Sequence, residues 1–142
     1  MTAYDPQNIF AKILRGELPC EKIYEDEATI VIMDIMPRTT GHALVIPKAP
    51  SRNVLDIAPA DLAACVATVQ RIAKAGMKAF GADGMTVQHF VEGAGGQVVF
   101  HTHWHVLPRF EGVALRPHTG EMAPADEIRA AADKLRAALS GA

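Results

Sequence analysis

Residues 101–107 read His-Thr-His-Trp-His-Val-Leu, so that three histidines alternate with other residues. This alternation, together with the β-branched, aromatic and aliphatic residues around it, predicts a β-strand from Val98 to Leu107. Because the side chains of a strand alternate between its faces, His101, His103 and His105 should project from one side, successive ones about 7 Å apart. Imidazole titrates near neutral pH, so three in a row indicate chemistry rather than packing.

Two other interpretations of this cluster stay open at this point. Histidines can be structural, although each of three on one face needs partners for two ring nitrogens. His-x-His pairs also supply zinc, copper or iron ligands, usually with a further carboxylate, cysteine or histidine. Glu92 and Glu111 are nearby carboxylates, but neither stands at a diagnostic spacing. The spacing therefore gives a metal site no support.

The composition of the chain indicates its broad class. The 142 residues are 49% hydrophobic and 21% charged, with a net charge of −2. These values are typical of one soluble globular domain and argue against a nucleic-acid-binding protein with a broad basic surface.

No apolar run approaches the roughly 20 residues that span a bilayer, and the first residues lack the pattern of a signal peptide. Cys20 and Cys65 form no Cys-x-x-Cys motif, so we expect reduced thiols in a cytoplasmic protein without a membrane partner.

Hydrophobic periodicity predicts the remaining elements. Asp5-Pro6 is a typical helix start, and this helix should run to about Arg15. A long amphipathic helix is predicted from Pro59 to Phe80, where apolar residues repeat at helical spacing. Other predicted elements are strands at 22–25, 29–33, 43–47 and 85–91 and a last helix at 124–139. Consecutive strands with helices at the start, middle and end predict an α+β domain with an antiparallel sheet of about five strands.

A glycine-rich loop, Gly93-Ala94-Gly95-Gly96-Gln97, leads into the histidine segment. Such a loop can be a plain hairpin connection, for which glycines are commonly used. It can also bind an anion, because backbone N–H groups without neighbouring Cβ atoms approach a phosphate closely. The predicted strand that follows excludes a Walker or Rossmann motif, in which a helix follows. Its position directly before three histidines favours the anion site.

The segment from Gly95 to Arg109, a Gly-Gln pair followed by three histidines alternating with hydrophobic residues, resembles the signature of the histidine triad (HIT) family. Two further blocks resemble the Hint branch of that family. Residues 8–19, Asn-Ile-Phe-Ala-Lys-Ile-Leu-Arg-Gly-Glu-Leu-Pro, are similar to its N-terminal helix, and residues 33–48 to its ribose-binding turn and following strand. The resemblance implies a single HIT domain over 1–142, with a core at about 8–109 and a C-terminal helical extension at about 110–142.

The resemblance implies a compact α+β fold, a homodimer with one continuous sheet, and a site for a purine mononucleotide such as AMP or GMP. Enzymes of the Hint branch hydrolyse nucleoside phosphoramidates, typically AMP linked through phosphorus to an amine. This chain would then be a hydrolase that forms a covalent nucleotidyl-histidine intermediate and needs no cofactor. Imidazole suits that role, because it is a good nucleophile at neutral pH and a good leaving group once protonated.

The resemblance also implies roles for individual residues. His103, the middle histidine, corresponds to the nucleophile, and Asp34 to the residue at the ribose hydroxyls. His105 would hold the phosphate or help the leaving group take a proton, with His42 and His101 in the supporting hydrogen-bond network. Backbone N–H groups around Gly95 and Gly96 would stabilise the phosphate charge. The other nucleotide-binding residues are Ile9, Phe10, Ile13 and Ile35 in the wall of the base pocket, and Gly96, Gln97 and Val98 at its phosphate end.

The chain departs from the family pattern at several positions. Val91 stands where many relatives have asparagine, and Val98 where they often have a small polar residue, so leaving-group contacts and substrate preference can differ. The Cys-x-x-Cys zinc element of some relatives is absent, since residues 10–12, Phe-Ala-Lys, stand where its second cysteine would be. Arg116 and His118 lie in a segment without predictable structure and are candidates for shaping access of the leaving group.

Three alternative functions stay open on the sequence alone. One is dinucleoside polyphosphate hydrolysis, as in the Fhit branch, against which the block from Phe10 to Pro19 argues. Another is a nucleotide-binding regulatory protein with vestigial activity, which the departures at Val91 and Val98 keep open. A metal-dependent hydrolase is the third.

Overall fold

The computed structural model describes residues 3–117 and 120–141, so His118 lies outside the described residues. It contains the helices α1 (Ile9–Leu14), α2 (Pro59–Phe80) and α3 (Ala125–Leu139), and the strands β1 (Lys22–Glu25), β2 (Thr29–Met33), β3 (Ala43–Pro47), β4 (Gly84–Gln88) and β5 (Trp104–Arg109). The strands form one antiparallel sheet in the order β1-β2-β3-β5-β4. The prediction of an α+β fold with three helices and five strands is therefore confirmed. Within the described residues, no helix is long and apolar enough to cross a membrane.

Helices cover both faces of the sheet. On one face, α2 and α3 pack on a core that includes Val45, Ile72 and Leu135. On the other face, Phe10 of α1 packs on alternate residues of β2 and β3, which are Ile30, Ile32, Leu44 and Ile46. His105 pairs with Leu44 across the β3–β5 ladder, so its side chain lies on the α1 face. The α1 face therefore carries the histidine chemistry, and the α2 face supplies most of the core.

The predicted histidine strand, Val98 to Leu107, is wrong over its first half. β5 begins only at Trp104, and its pairing with β3 ends at the pair Val45–Trp104. Two positions further along this register, β3 would have to pair through Pro47, which has no N–H group to donate. The carbonyl of Pro47 instead accepts a hydrogen bond from Nε2 of His101, at 2.8 Å. His101 and His103 therefore lie in an irregular segment before the strand, and only His105 of the three lies within it.

Other predicted boundaries shift for local reasons. The first helix starts at Ile9 rather than at Asp5, because the side chain of Asn8 accepts from the backbone N–H of Ala11 and caps the helix there. Asp5 forms a preceding turn, in which its carboxylate accepts from the N–H of Gln7. β4 ends at Gln88 instead of position 91. The predicted bounds of α2 are confirmed, with Pro59 in its first turn and a left-handed residue, Gly81, at its end.

Gly41 joins the turn between β2 and β3 to the end of α2. Its φ of +85° is a left-handed conformation that side chains other than glycine rarely adopt. The Phe80 ring lies directly where a Cβ atom on residue 41 would stand. This contact fixes the turn that carries Asp34 and His42 against the C-terminal end of α2.

Gly41→Ala should therefore lower the free energy of unfolding by about 2–4 kcal/mol, from the left-handed strain plus overpacking against Phe80. Gly81→Ala is the matched control, because Gly81 is also left-handed, at φ +58°, but has open space around its Cβ position. We expect it to cost only about 1 kcal/mol. Urea denaturation of both variants measures the difference. Equal losses would mean that the Phe80 contact does not constrain the turn.

Candidate active site

One pocket on the α1 face brings together most of the residues expected at a nucleotide site. Its volume is about 230 Å³, and it lies between α1, the β2–β3 turn, the glycine-rich loop and β5. The sequence-predicted residues that line it are Ile9, Phe10, Ile13, Asp34, Ile35, His42, Gly96, Val98, His103 and His105. Gln97 and His101 do not line it but are buried. The apolar wall and the histidines thus share a single concave surface, as in small-molecule sites.

His103 is held in one tautomer. Its Nδ1 lies 2.7 Å from the carbonyl oxygen of His101, and because a carbonyl only accepts, Nδ1 carries the proton. Nε2, on the other side of the ring, is then the unprotonated nitrogen. Burial lowers the pKa of His103 to about 4, against a smaller opposing effect of the His101 carbonyl. At neutral pH this imidazole is therefore neutral, with the lone pair that a nucleophile needs.

A chain of hydrogen bonds also orients His105. The backbone N–H of Arg38 donates to Nδ1 of His42, at 3.1 Å, so the proton of a neutral His42 lies on Nε2. That Nε2 is 2.9 Å from Nδ1 of His105 and 3.5 Å from a carboxylate oxygen of Asp34. Since His42 donates, Nδ1 of His105 accepts, and His105 carries its own proton on Nε2. His103 and His105 therefore have opposite tautomers, His103 with a bare Nε2 and His105 with an Nε2–H.

His101 has a structural position behind the pocket. Its Nε2 donates to the Pro47 carbonyl, and its Nδ1 accepts from the hydroxyl of Tyr4, at 2.7 Å. Burial lowers the pKa of His101 as well. With both ring nitrogens bonded, His101 holds the segment before β5 against the end of β3. Its backbone carbonyl is thereby placed to receive the Nδ1 proton of His103.

The glycine-rich loop differs from the expected anion cradle. Residues Gly93–Gly95 form one 3₁₀ turn, in which the N–H groups of Gly95 and Gln97 donate to the Glu92 carbonyl and that of Gly96 to the Gly93 carbonyl. The expectation that the Gly95 and Gly96 amides face a phosphate is therefore wrong for this conformation. Gly96 and Val98 are the loop residues that line the pocket.

Gln97 organises the loop from inside. Its side-chain nitrogen donates to the carbonyls of Arg52 and Val99, and its side-chain oxygen accepts from the N–H of Glu92 and from Asn53. All four hydrogen-bonding positions of the amide are thus used within the protein. A direct contact between Gln97 and a phosphate stays a prediction, but the structure gives this side chain a scaffolding position.

Glu92, weighed above as a metal ligand, is part of the same scaffold. It forms a two-pronged ion pair with Arg52, at 2.7 and 3.0 Å, and accepts from Asn53 at 2.7 Å. The hydrogen bonds from Arg52 hold the pKa of the Glu92 carboxyl below its ordinary value. Glu111, the other carboxylate considered, is exposed and lies beyond the far end of β5, where its N–H bonds Asp83. Neither carboxylate lines the histidine pocket.

Asp34 lies at the pocket wall in the β2–β3 turn. Burial raises the pKa of its carboxyl, while a hydrogen bond from the N–H of Met36 acts in the opposite direction. The ionised group can only accept, which suits the recognition of hydroxyl donors. Beside it, Ile9, Phe10 and Ile35 provide an apolar surface that fits a flat base.

Asp34, His42 and His105 could also be considered for a metal ion, since one donor atom of each lies within 4.8 Å of the others. The tautomer of His42 disfavours this use. A neutral imidazole that binds a metal through Nε2 must carry its proton on Nδ1, where it would oppose the Arg38 N–H. Binding would therefore require the turn at Arg38 to rearrange.

Sequence reasoning missed several residues that line the pocket and one neighbour of the site. Arg38 and Phe90 line the pocket, and His89 contacts the backbone of His103. A lone arginine in a turn and an aromatic residue after a strand carry no distinguishing pattern, and His89 lies outside the triad spacing. Arg116, expected to affect leaving-group access, is held to the pocket rim: its N–H donates to the Arg38 carbonyl, and its carbonyl accepts from Nε of Arg38.

The lowered pKa of His103 predicts acid sensitivity of the fold. Between pH 6.5 and about 4 the unfolded chain binds a proton at this residue and the folded chain does not, so stability falls as pH decreases through that window. We expect a loss on the order of 2 kcal/mol from His103 between about pH 7.5 and about pH 4.5. Urea denaturation at the two pH values measures it. His103→Asn, which does not titrate and keeps a donor for the His101 carbonyl, should show a shallower pH dependence; an unchanged slope would contradict the assignment.

Comparison with known proteins agrees with this geometry. The model of the HIT domain family matches residues 15–112. Adenylylsulfatase HINT3 of Arabidopsis thaliana is 42% identical over 103 residues, which are 72% of this chain and 52% of that protein, so the chain spans about half of its length.

Two solved structures resemble the whole chain. A HIT-like protein involved in cell-cycle regulation from Bartonella henselae is 48% identical with a TM-score of 0.90, covering 96% of this chain and 99% of that one. A zinc-bound histidine triad family protein from Mycobacterium smegmatis is 37% identical with a TM-score of 0.83, covering 95% and 94%. By its sequence, its fold and its arrangement of histidines, this chain belongs to the HIT family.

Proposed function

We propose that the protein is a nucleotide-binding hydrolase that cleaves purine nucleoside phosphoramidates of the AMP–amine type through a covalent intermediate on His103. The observation that carries this proposal is the fixed tautomer of His103, which leaves Nε2 unprotonated in an apolar pocket. Membership of the HIT family supports it, since related structures bear the names hypothetical histidine triad nucleotide-binding protein, from Sulfolobus tokodaii, and HIT family hydrolase, from Clostridium thermocellum.

In the first step, the Nε2 lone pair of His103 attacks phosphorus and the bond from phosphorus to the amine breaks. The ring then carries a positive charge, because Nε2 is phosphorylated while Nδ1 keeps its proton. The His101 carbonyl, 2.7 Å from Nδ1, stabilises that charge as it develops. Water attacks phosphorus in the second step, releasing the nucleotide and restoring the neutral imidazole.

His105 donates a hydrogen bond to the nitrogen of the leaving amine. Its Nε2–H follows from the bonds that fix His42 and the Nδ1 of His105. An amine leaves readily only as a neutral molecule, so it takes up a proton from solvent as the bond breaks, while Nε2–H of His105 orients it. The attacking water releases a proton to solvent in the second step, and the cycle balances.

The other end of the pocket binds the nucleoside. Asp34 accepts hydrogen bonds from the ribose hydroxyls, and Ile9, Phe10, Ile13 and Ile35 surround the base. At the phosphate end, Val98 lies in the pocket wall beside Gly96, and we assign the phosphate contact to its backbone N–H rather than to the amides of the 3₁₀ turn.

Adenylyl sulfate is the second candidate substrate, because the Arabidopsis relative bears the name adenylylsulfatase. Val98 is 78% exposed at the pocket and presents hydrocarbon to a leaving group. Sulfate is a stable anion that leaves without a proton, so this wall does not hinder it. Both substrates transfer AMP to the same atom, Nε2 of His103.

His103→Ala should lower kcat on an adenosine phosphoramidate by at least about 10³-fold, because the attacking atom is removed. AMP binding, measured by calorimetry, should change little, since the pocket wall stays. Adenosine phosphoramidate, adenylyl sulfate and a diadenosine polyphosphate are compared side by side, and rapid quenching with mass spectrometry maps the trapped nucleotide to His103.

Near-normal turnover by His103→Ala would refute the proposal. A diadenosine polyphosphate as the best substrate would favour the Fhit-type activity, and AMP binding without any adenylylated protein would favour a regulatory role. Because the Mycobacterium relative is described as zinc-bound, the assay is repeated after chelation. Activity should survive, and its loss with recovery on adding zinc would favour a metal-dependent reaction.

We also propose that the protein is a homodimer whose two sheets join through β4. This strand lies at the edge of the sheet, and Val87 within it is 48% exposed although its β5 partner Val106 is buried. An exposed edge strand with an apolar side chain is suited to pairing with a second copy.

Sedimentation velocity should give twice the chain mass. Val87→Lys should shift the protein toward monomer, because a charge on an edge strand opposes pairing. Val113→Lys, at a valine of similar exposure outside the sheet, is the matched control and should leave the mass unchanged. Monomeric wild-type protein, or equal behaviour of the two variants, would contradict this assembly.

A further inference from the structure

His89, a histidine outside the triad, contacts the backbone of the proposed nucleophile. It follows the last residue of β4 and is partly buried. Its Nδ1 lies 2.8 Å from the carbonyl oxygen of His103, and its Nε2 lies 3.1 Å from the backbone nitrogen of Val54. Since a carbonyl only accepts and an amide N–H only donates, the ring is neutral and carries its proton on Nδ1.

The same ring stacks on the residue that follows the nucleophile. The centroids of His89 and Trp104 are 4.4 Å apart and their planes differ by 20°. Trp104 is buried in the core under α2. His89 therefore makes two contacts with this part of the chain: a hydrogen bond to the carbonyl of His103 and a stack on the indole of Trp104.

The position of His89 just after β4 explains why a side chain, rather than a backbone N–H, bonds the His103 carbonyl. The ladder between β4 and β5 ends at the pair Gln88–His105. The His103 carbonyl thus lies beyond the last paired residues. A donor from the side chain of His89 satisfies this buried carbonyl where the backbone ladder stops.

His89 also connects the nucleophile to the glycine-rich loop. Val54, whose N–H bonds Nε2 of His89, directly follows Arg52 and Asn53. Those two side chains bond Glu92, at the start of the 3₁₀ turn, and Asn53 also bonds Gln97. One imidazole therefore lies between the backbone of His103 and the segment that holds the phosphate end of the pocket.

We propose that His89 is a positioning residue, which fixes the backbone of His103 relative to the glycine-rich loop so that Nε2 meets the phosphorus in line. The proposal rests on the proposed role of His103 as nucleophile. A shift of the attacking atom by about 1 Å can reduce a rate by about 100-fold without altering the binding pocket.

Three variants test this positioning. His89→Phe keeps an aromatic ring on Trp104 but removes both hydrogen bonds, and should lower kcat by about 10-fold to 100-fold with KM and the AMP dissociation constant within about 2-fold of wild type. His89→Asn keeps a donor at the position of Nδ1 and should restore kcat to within about 3-fold. Tyr24→Phe, on β1, removes a hydrogen bond to Asp26; neither residue lines the pocket, so kcat should be unchanged.

A second readout does not depend on turnover. In ¹⁵N NMR spectra of the imidazoles, His103 should show a single Nδ1–H tautomer in the wild type and in His89→Asn, and exchange-broadened or mixed signals in His89→Phe. If wild type cleaves no phosphoramidate, the proposed function fails while the spectra still test His89. If His89→Phe does not fold, His89→Met, which also lacks a hydrogen-bond donor, replaces it.

Two results would overturn the positioning role. One is unchanged His103 spectra in the folded variant that lacks the Nδ1 donor. The other is an equal loss of kcat in His89→Phe and His89→Asn, which would show that the donor to the His103 carbonyl is irrelevant.

Discussion

The hydrogen bond from Nδ1 of His103 to the carbonyl oxygen of His101, 2.7 Å long, is the constraint on which the site depends. It joins residues only two positions apart, so it requires the chain to leave the extended conformation before β5. It selects the tautomer with an unprotonated Nε2, and burial keeps that ring neutral at physiological pH. In the proposed reaction the same carbonyl faces the positive charge that phosphorylation places on the ring. One geometric feature thus prepares the nucleophile and stabilises its product.

Burying a cluster of histidines requires hydrogen-bond partners for those ring nitrogens that are removed from solvent. The backbone supplies much of that satisfaction: the carbonyls of Pro47, His101 and His103 accept, and the N–H groups of Arg38 and Val54 donate. Across the described residues, no buried side-chain nitrogen or oxygen lacks a hydrogen-bond partner. Because backbone groups can only donate or only accept, each contact also fixes where the proton of the ring lies. The same hydrogen bonds therefore satisfy the buried polar groups and fix the protonation of the histidine rings.

Much of the fold could be predicted because it follows from periodic patterns. The apolar spacing of α2 and the residues at its two ends indicated its bounds, and short continuous apolar runs indicated β2 and β3. Ten of the predicted site residues line one cavity, while their roles in binding and catalysis stay predictions. The start of β5 could not be predicted, since it depends on Pro47 in a strand distant in sequence.

The hydrogen bonds of the loop amides and the contact of His89 with His103 likewise depend on residues far apart in the sequence. The amides turn inward because Gln97, Arg52 and Asn53 hold the loop. His89 donates to the His103 carbonyl because the backbone pairing of β4 with β5 ends at Gln88–His105 and does not extend to this carbonyl. No local pattern reveals either arrangement, as both arise from contacts between segments far apart in the chain. The errors of sequence reasoning therefore concentrate around the site, where side chains replace regular backbone pairing.

The β2–β3 turn links the fold to the choice of leaving group. With hydrocarbon at Val98, the hydrogen bond that orients the leaving amine falls to His105, whose Nε2–H depends on His42. His42 in turn takes its tautomer from the Arg38 N–H, and Asp34 lies 3.5 Å from its Nε2. All three residues belong to the turn that Gly41 packs against Phe80. A small displacement of this turn would break the hydrogen bonds from Arg38 to His42 and from His42 to His105 and leave His103 intact. Cleavage of a phosphoramidate, whose leaving amine needs a proton, should then slow more than cleavage of adenylyl sulfate, whose sulfate leaves without one.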